Sequence, residues 1–233
     1  MRTCVLFAIA IMISTAMAQE DTTTSWSDKG YDLLFEFQYE EALMAFDQAI
    51  SIDEQNVAAW IGKGSALNLL GNYSDALEAF NKTIEIAPYD ARAWVGKGLA
   101  FGNLNKTDES LESYNKAIEL YPEYAIVWND RAWLLLTLGD YEEAVNDADW
   151  GIRLLNRDLA STLDTKGVAL VGLGEYEQAL ECFDRAIELE PLIAEIWFHK
   201  GDALMGLGRD DDAEAAYATA RNSTLVWPGG EDI

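Results

Sequence analysis

Apolar residues recur with helical spacing in the stretch from residue 58 to 70. Trp60, Gly64 and Leu67 stand at i, i+4 and i+7, which places them on one face of an α-helix. Gly71 follows, and a glycine at that place is typical of a helix C-terminal cap. The pattern therefore predicts a helix over 58–70, in which Gly64 leaves room for a second helix to approach closely.

A second helical pattern follows after a short turn. Ala76, Phe80 and Thr83 share one face of a predicted helix over residues 74–86, and Pro88 is expected to stop it. Apolar stripes on two consecutive helices predict a helix-turn-helix hairpin. One such hairpin cannot bury both of its faces, so we expect neighbouring hairpins to stack on it.

The same pattern returns along the chain with a period of 34 residues. Tryptophan, glycine, a small residue and an aromatic keep their relative places in six copies, with one residue inserted after the fourth. We expect the tryptophans to belong to the core. The shared positions are Trp26, Trp60, Trp94, Trp128, Leu163 and Trp197; Gly30, Gly64, Gly98, Ala132, Gly167 and Gly201; Ala42, Ala76, Ser110, Ala144, Ala179 and Ala213; and Phe46, Phe80, Tyr114, Ala148, Phe183 and Tyr217.

These positions resemble the tetratricopeptide repeat, a 34-residue unit with the pattern W-x2-L-G-x2-Y, then A-x3-F, then proline. In the second copy the matching residues are Trp60, Gly64, Ala76, Phe80 and Pro88. The resemblance covers residues 23 to about 221 and implies an all-α fold, a right-handed α-solenoid of six helix-turn-helix repeats. A polar lead-in, the six repeats and a C-terminal tail are then set at 19–22; 23–56, 57–90, 91–124, 125–159, 160–193 and 194–227; and 228–233.

A different pattern occupies the first eighteen residues. Arg2 precedes an apolar run over 5–13, and an A-x-A pattern ends at Ala18, just before the polar Gln19. These features predict a signal peptide over 1–18 and an extracellular, periplasmic or cell-surface protein. An uncleaved N-terminal anchor is the alternative, although a spanning helix needs roughly 20 apolar residues. After cleavage we expect no membrane span.

Charge narrows the class of partner. The chain has 41 acidic and 16 basic residues, a formal charge of -25, although half of it is hydrophobic. Nucleic-acid phosphates repel such a chain, so no nucleic-acid partner is expected. The acids concentrate on the predicted second helices, where we favour a solvated exterior. A basic partner or bound cations are the alternative.

Residue types that carry chemistry are few and isolated. His199 is the single histidine, and Cys182 is the one thiol beyond the signal segment, interpreted as a small buried hydrophobe. The segment 62–65 lacks the spacing of a phosphate loop, and Asp147 and Asp149 lack the other ligands of a calcium loop. We therefore expect no catalytic residue, no metal, no cofactor and no enzymatic activity.

A basic residue stands immediately before the repeat glycine, or before Ala132 in the fourth copy. We interpret each as a stem that packs along its helix, with its charge meeting a carboxylate from a second helix. A basic ladder for an acidic ligand is the alternative. The residues are Lys29, Lys63, Lys97, Arg131, Lys166 and Lys200.

The resemblance implies a binding surface on the concave side, which the first helices of the hairpins line. Residues one helical turn from the tryptophan and glycine positions are expected to point into it. Most are apolar, which suits a hydrophobic peptide or helix; packing between adjacent first helices is the alternative. They are Tyr31, Phe35, Ile61, Ser65, Leu69, Val95, Leu99, Asn129, Trp133, Leu136, Val168, Val171, Phe198 and Met205.

The fourth copy departs most from the pattern. Ala148 and Gly151 replace larger residues, and two tryptophans, Trp133 and Trp150, stand outside the repeat positions. We expect Trp133 to bind the partner, since large aromatics in a groove commonly dominate binding energy. The competing interpretation is that a tryptophan fills the volume lost at Ala148 and Gly151.

The sequence thus predicts an exported protein–protein interaction scaffold that binds a peptide or helix in its groove, and the clean repeats look like those of archaeal or bacterial members. An envelope-structural or self-assembling protein, and a regulatory domain for an enzyme on another chain, are the alternatives. Four N-x-[ST] sequons are candidates for N-glycosylation: Asn72, Asn81, Asn105 and Asn222.

Overall fold

The computed structural model describes residues 25–155 and 160–223. Within these ranges every regular element is an α-helix, and the prediction of an all-α fold is confirmed. The predicted signal peptide, the polar lead-in and the C-terminal tail lie outside the described residues.

The described chain forms six helical hairpins, in each of which an odd-numbered first helix is followed by an even-numbered second helix. The predicted helices over 58–70 and 74–86 correspond to α3 and α4, with ends that agree to within one residue. The helices are α1 25–35, α2 Tyr39–Ile52, α3 Val57–Leu69, α4 Tyr73–Ile86, α5 Ala91–Asn103, α6 Thr107–Leu120, α7 Ala125–Leu138, α8 Tyr141–Leu155, α9 Ala160–Leu173, α10 Tyr176–Leu189, α11 Ala194–Gly206 and α12 Asp210–Ser223.

The helices divide into two compact units. Unit 1 contains α1–α6 and ends at Leu120, and unit 2 begins at Tyr121 and contains α7–α12. Within the units each first helix packs on the second helix of its own hairpin and of the hairpin before it. First helices also touch one another, as α3 touches α5, and α9 touches both α7 and α11. The first helices of each unit therefore lie side by side and present a common surface.

Glycines allow this close stacking by making room for an aromatic ring on every second helix except α8, which has Ala148 at that position. Phe80 of α4 is buried, and a Cβ atom on Gly64 would lie 2.6 Å from its ring. A Cβ atom on Gly96 of the next first helix would overlap the same ring. The predicted role of Gly64 is confirmed, and Gly96 shows that the next hairpin needs the same space.

The turn between the two helices of a hairpin uses a residue with positive φ. Gly71 has a φ of 78°, which confirms its predicted place at the helix end. In unit 2 every such residue is glycine, whereas in unit 1 Asn105 and Phe37 have φ values of 57° and 59°. A bulky side chain rarely adopts this conformation, so the turn at Phe37 is strained.

The repeat tryptophans lie at the edge of the core and not in its centre. Trp60 is half-buried against a cluster that includes Leu67 and Phe80, and its indole Nε1 donates to the Glu54 carbonyl at 2.9 Å. The expectation that the tryptophans are core residues is therefore correct only in part, because all five repeat tryptophans are half-buried and none is fully covered.

The irregular fourth hairpin is not repaired by a tryptophan. Trp133 and Trp150 are 49% and 47% exposed, and Trp150 stacks on Trp128 with ring centroids 5.7 Å apart. A Cβ atom on Gly151 would instead meet the Thr162 methyl group at 3.6 Å. At Gly151, therefore, the interpretation that Trp133 or Trp150 fills the lost volume was wrong, because the nearest side chain there is that of Thr162.

Candidate functional site

Four of the six basic residues at the position before the repeat glycine form ion pairs with carboxylates of second helices, as predicted. Lys63, Lys166 and Lys200 reach Asp47, Asp149 and Asp184 of the preceding hairpin at 2.6, 2.7 and 2.6 Å. Arg131 instead contacts both carboxylate oxygens of Asp147 in its own hairpin, at 2.7 and 2.8 Å. These ion pairs join helices to one another, which supports the interpretation that the basic residues have a structural role. Asp147 and Asp149, which were compared with a calcium loop above, take part in two of these ion pairs.

Five of the six basic residues, all but Lys166, also lie over the repeat tryptophan of their own helix, a contact that the sequence pattern did not predict. The distances from the charged group to the ring centroid run from 4.8 Å for Lys97 over Trp94 to 5.5 Å for Lys63 over Trp60. Cation–π contacts of this kind are stabilising, and the stacked stem also covers the ring. At Lys97, burial lowers the pKa of the ammonium group, and the charge of Glu112 opposes that shift.

In unit 1 the predicted groove residues divide into exposed and packed side chains. Phe35, Leu69 and Leu99 are exposed on α1, α3 and α5. Ile61 is only 6% exposed, so the prediction that it lines an accessible groove was wrong. Ile61 belongs to the buried residues of α3, next to the buried Gly62, and is therefore covered by packing.

Other predicted residues of unit 1 serve contacts within the unit. Tyr31 packs edge-on against Phe46 with centroids 5.1 Å apart, and its hydroxyl donates to the Ala58 carbonyl at 2.9 Å. Burial raises the pKa of the Tyr31 phenol, with smaller effects of opposite sign from two neighbouring charges. Ser65 and Val95 are half-buried. For Tyr31 the alternative of packing between first helices is correct.

In unit 2 three predicted residues present large apolar side chains to solvent. Trp133, Phe198 and Met205 are 49%, 53% and 49% exposed on α7 and α11. Four others on α7 and α9 are half-buried, and two of these, the valines, pack against the core cluster of the unit: Asn129, Leu136, Val168 and Val171.

Beside these apolar residues lies a carboxylate that the sequence analysis missed. Asp130 is half-buried on α7, and within the described ranges it has neither a hydrogen bond nor an ion pair. Burial raises the pKa of its carboxyl group to about 6. The adjacent Asn129 has a buried side-chain oxygen that accepts no hydrogen bond from the described chain. Two neighbouring acceptors thus lack a donor.

A second polar pair connects α9 to α11. The Nδ1 atom of His199 lies 2.9 and 3.1 Å from the two carboxylate oxygens of Asp164. Burial by itself would lower the pKa of His199, but the hydrogen bond and the negative charge of Asp164 outweigh it, so the pKa is raised. Below that pKa the pair is an ion pair, held beside the exposed ring of Phe198, whose centroid is 6.4 Å from the imidazole.

A third carboxylate, Asp202, accepts a hydrogen bond from the Tyr217 hydroxyl at 2.7 Å. Partial burial and this bond raise the pKa of Tyr217 to about 12. The first helices of unit 2 therefore combine exposed apolar side chains with carboxylates, one of which has no counter-charge. Such a surface can receive a segment that brings apolar side chains and a cation or N–H donor.

Three models of the tetratricopeptide repeat match residues 28–91 and 165–224, 91–124, and 113–146. The chain belongs to the tetratricopeptide repeat family. The resemblance drawn from the spacing of tryptophan, glycine and alanine is therefore confirmed, and so is the fold built from helix-turn-helix repeats.

Individual relatives of this repeat protein agree with that assignment. An uncharacterized protein of Methanocaldococcus jannaschii is 44% identical over 52 residues, which span 22% of this chain and 60% of that protein. PilF of Pseudomonas aeruginosa has a similar structure, with a TM-score of 0.76 and 19% identity over 91% of this chain and 95% of that chain. YrrB, described as a tetratricopeptide repeat protein with an unusual peptide-binding site, has a TM-score of 0.61 and 19% identity, over 77% and 92% of the two chains.

The remaining sequence predictions for this family member concern the sequons, the thiol, membrane spans and metal ligands. All four sequon asparagines, Asn72, Asn81, Asn105 and Asn222, are exposed. Cys182 is half-buried and packs against the core cluster of unit 2. In the described part of the chain no helix is long and apolar enough to cross a membrane, and no three potential metal ligands come together.

Proposed function

We propose that this protein is an exported, non-enzymatic interaction scaffold that binds a peptide or helix on the first helices of unit 2. The observation that carries the proposal is the surface around Trp133 and Phe198. Both rings are about half exposed on helices whose backbones are fixed by packing. Exposed aromatics on a rigid support are favoured anchors for a partner, since little side-chain entropy is lost on binding.

The charges beside the rings suggest what the bound segment carries. Asp130 has no counter-charge within the described chain, and burial disfavours its ionised form at neutral pH. A lysine or arginine of the partner would supply the missing charge and also a donor near the unsatisfied oxygen of Asn129. The partner is therefore a segment with apolar side chains and at least one basic residue.

Export is part of the same proposal. The apolar segment over residues 5–13 and the A-x-A pattern ending at Ala18 support it, as do four exposed sequons. N-terminal sequencing of the protein recovered from outside the cytoplasm should begin at Gln19. Recovery of the intact N-terminus in the membrane fraction would favour the uncleaved anchor instead.

The binding site is tested with a displayed peptide library, selected on the purified protein and then measured with individual peptides. Trp133→Ala should weaken the selected peptides by roughly 2 kcal/mol and leave the unfolding midpoint within a few degrees. Trp150→Ala is the matched control, because Trp150 is equally exposed but lies on the second helix α8. It should leave peptide affinity unchanged.

Asp130→Asn tests the charge preference of the same surface. The variant should lose the enrichment of lysine and arginine in the selected peptides, while its affinity for apolar anchors persists. Equal losses for Trp133→Ala and Trp150→Ala, or peptides selected without any dependence on Trp133, would place the binding surface elsewhere.

A further inference from the structure

An open groove lies at the start of unit 1, between α1 and α2. It encloses about 410 Å³ and is lined by an aromatic ring, a cation and aliphatic groups, among them Trp26, Lys29, Leu33 and Met44. Met44 is exposed, although its neighbour Ala45 belongs to the buried stripe of α2. This groove is separate from the surface proposed above, since it belongs to another unit.

The last hairpin of the chain shows what normally covers such a groove. A cavity of about 270 Å³ there is lined by Trp197, Lys200 and Leu204, which stand at the same repeat positions as Trp26, Lys29 and Leu33. Two further lining residues, Leu180 and Asp184, come from α10, the second helix of the preceding hairpin. Leu180 packs beside Trp197, and Asp184 forms the ion pair with Lys200.

The same pair of residue types recurs at two other junctions. Leu43 packs on the cluster that holds Trp60, and Asp47, four residues later, pairs with Lys63. At the junction between the fourth and fifth hairpins, Val145 packs on the cluster that contains Leu163, and Asp149 pairs with Lys166. In each of these three grooves, the preceding second helix thus contributes an aliphatic residue and, four positions later, an aspartate. This spacing places both side chains on one face of the helix.

The first groove has the receiving residues, and no helix within residues 25–155 or 160–223 packs into it from the side that α10 occupies in the last hairpin. Lys29 lies 4.8 Å from the centroid of Trp26, and it makes no ion pair with any residue in 25–155 or 160–223. We propose that this groove binds an amphipathic helix of a partner protein, which presents an aliphatic side chain to Trp26 and an aspartate, one turn later, to Lys29. Glu41 also lines the groove and could repel an incoming aspartate. In the last hairpin, however, Asp212 holds the position of Glu41 and lines the same cavity as Asp184, so the groove accepts an aspartate despite this acid.

Neither a second copy nor the chain's own leader has the required residues. In a second copy the last described helix is α12, where the two positions are Glu214 and Ala218. End-to-end stacking would therefore place a carboxylate on Trp26 and leave Lys29 without an acid. In the chain's own leader, the residues 34 positions before Leu43 and Asp47 are Ile9 and Ile13. The leader therefore has no aspartate to pair with Lys29 at that position.

The probe is a synthetic peptide with the sequence of α10, residues 176–189, in which Cys182 is replaced by serine to prevent oxidation. It should bind the purified protein in a titration followed by fluorescence anisotropy. A peptide with Asp184→Ala should bind about fivefold more weakly, the size expected for a half-exposed ion pair. Lys29→Ala should weaken the original peptide by the same factor and abolish the difference between the two peptides.

A charge exchange sharpens the test: Lys29→Asp should prefer the peptide with Asp184→Lys. Lys97→Ala is the matched control, since Lys97 also stacks on a repeat tryptophan but lies at an internal junction. It should leave peptide affinity unchanged. Met44→Glu should abolish binding while the far-ultraviolet circular dichroism stays that of the wild type, because Met44 is exposed.

Several results would overturn the proposal. The first is the absence of peptide binding, or binding that does not distinguish Lys29 from Lys97. The second is a dimer in light scattering that Lys29→Ala dissolves, which would make a second copy the occupant. The third is peptide binding that appears only after Glu20→Gln and Asp21→Asn, which would show that the residues before α1 already hold Lys29.

Discussion

The two units use the same repeat, and one position at which they differ lies two residues before the repeat glycine, or before Ala132 in the fourth hairpin. In unit 1, on α3 and α5, that position holds Gly62 and Gly96, whose missing side chains make room for Phe46 and Phe80. In unit 2 the position holds Asp130, Thr165 and His199. On α3 and α5 this position therefore serves tight packing, whereas all three first helices of unit 2, like α1 with Asp28, carry a polar or ionisable group there.

The difference shows how a repeat protein gains a site without changing its fold. Where the second helix supplies Phe46 or Phe80, the next first helix has glycine at this position, whereas the ring of Phe183 is followed by His199. Where Ala148 replaces the ring, the next first helix carries Thr165, and the buried Phe183 still lies 6.1 Å from the imidazole of His199. Unit 2 accommodates polar side chains at this position, and one of them, Asp130, stands three residues before the exposed Trp133 on α7.

The largest expected effect comes from moving the unit 2 pattern into unit 1. Gly62→Asp should destabilise the protein by about 3 kcal/mol or more, because a Cβ atom there overlaps the Phe46 ring and the new carboxylate has no partner. The reverse change, Thr165→Gly, should cost only about 1 kcal/mol through backbone entropy and lost contact. Urea denaturation measures both, and similar losses for the two variants would show that the position is equivalent in the two units.

Unit 2 should also lose stability as the pH rises, because folding raises the pKa of Asp130 to about 6 from a reference of 3.8. Below the unfolded pKa the carboxyl group is neutral in both states and burial carries no charge penalty, whereas the penalty grows as the pH rises from the unfolded pKa through the folded one. Asp130→Asn should therefore stabilise the protein by about 1–3 kcal/mol at pH 7.5 and have little effect near pH 3.5. Denaturation at the two pH values checks this, and a pH-independent difference would contradict it.

In the wild type the stabilising contribution of His199 also decreases as the pH rises. Its pKa is raised by Asp164, so its ion pair is fully present below the unfolded pKa of 6.5 and is lost as the pH rises through the raised value. Glu195 and Asp202 add to the shift. The pH dependence that remains in the Asp130→Asn variant should consequently disappear in part when His199→Gln is added.

A smaller effect is expected at the hairpin turns, where unit 2 has only glycine at positive φ. Phe37→Gly in unit 1 should stabilise the protein by about 1 kcal/mol, since it relieves a left-handed backbone on a bulky residue. Gly174→Phe in unit 2 should destabilise it by a similar amount. Thermal denaturation of the two variants gives the comparison, and a loss of stability for Phe37→Gly would mean that the exposed ring makes contacts that outweigh the strain.

The smallest effect concerns the indole N–H groups. Trp197 of unit 2 donates to the Pro191 carbonyl at 2.9 Å, whereas the buried N–H of Trp94 in unit 1 has no acceptor within the described chain. Trp197→Phe should therefore cost about 1 kcal/mol more than Trp94→Phe. Equal costs, measured by urea denaturation, would indicate that Trp94 finds an acceptor such as water.

The sequence by itself determined the fold because each repeat is a local unit. The spacing of Trp60, Gly64, Ala76 and Phe80 specifies two helices and their facing stripes within 34 residues, and the period then repeats the hairpin. Even the pairing of the lysine positions with carboxylates followed from the chain, because a long basic stem beside acidic helices has few other partners.

Only the tertiary structure decided how far each side chain is covered and which groups meet across hairpins. Helical spacing assigned Ile61 and Trp133 to the same surface, but packing buries the first and leaves the second half in water. The pairing of Asp164 with His199 joins residues 35 positions apart, and the lone Asp130 is defined by the absence of any such partner in the described chain. These properties depend on neighbouring repeats, and no pattern within a single repeat contains them.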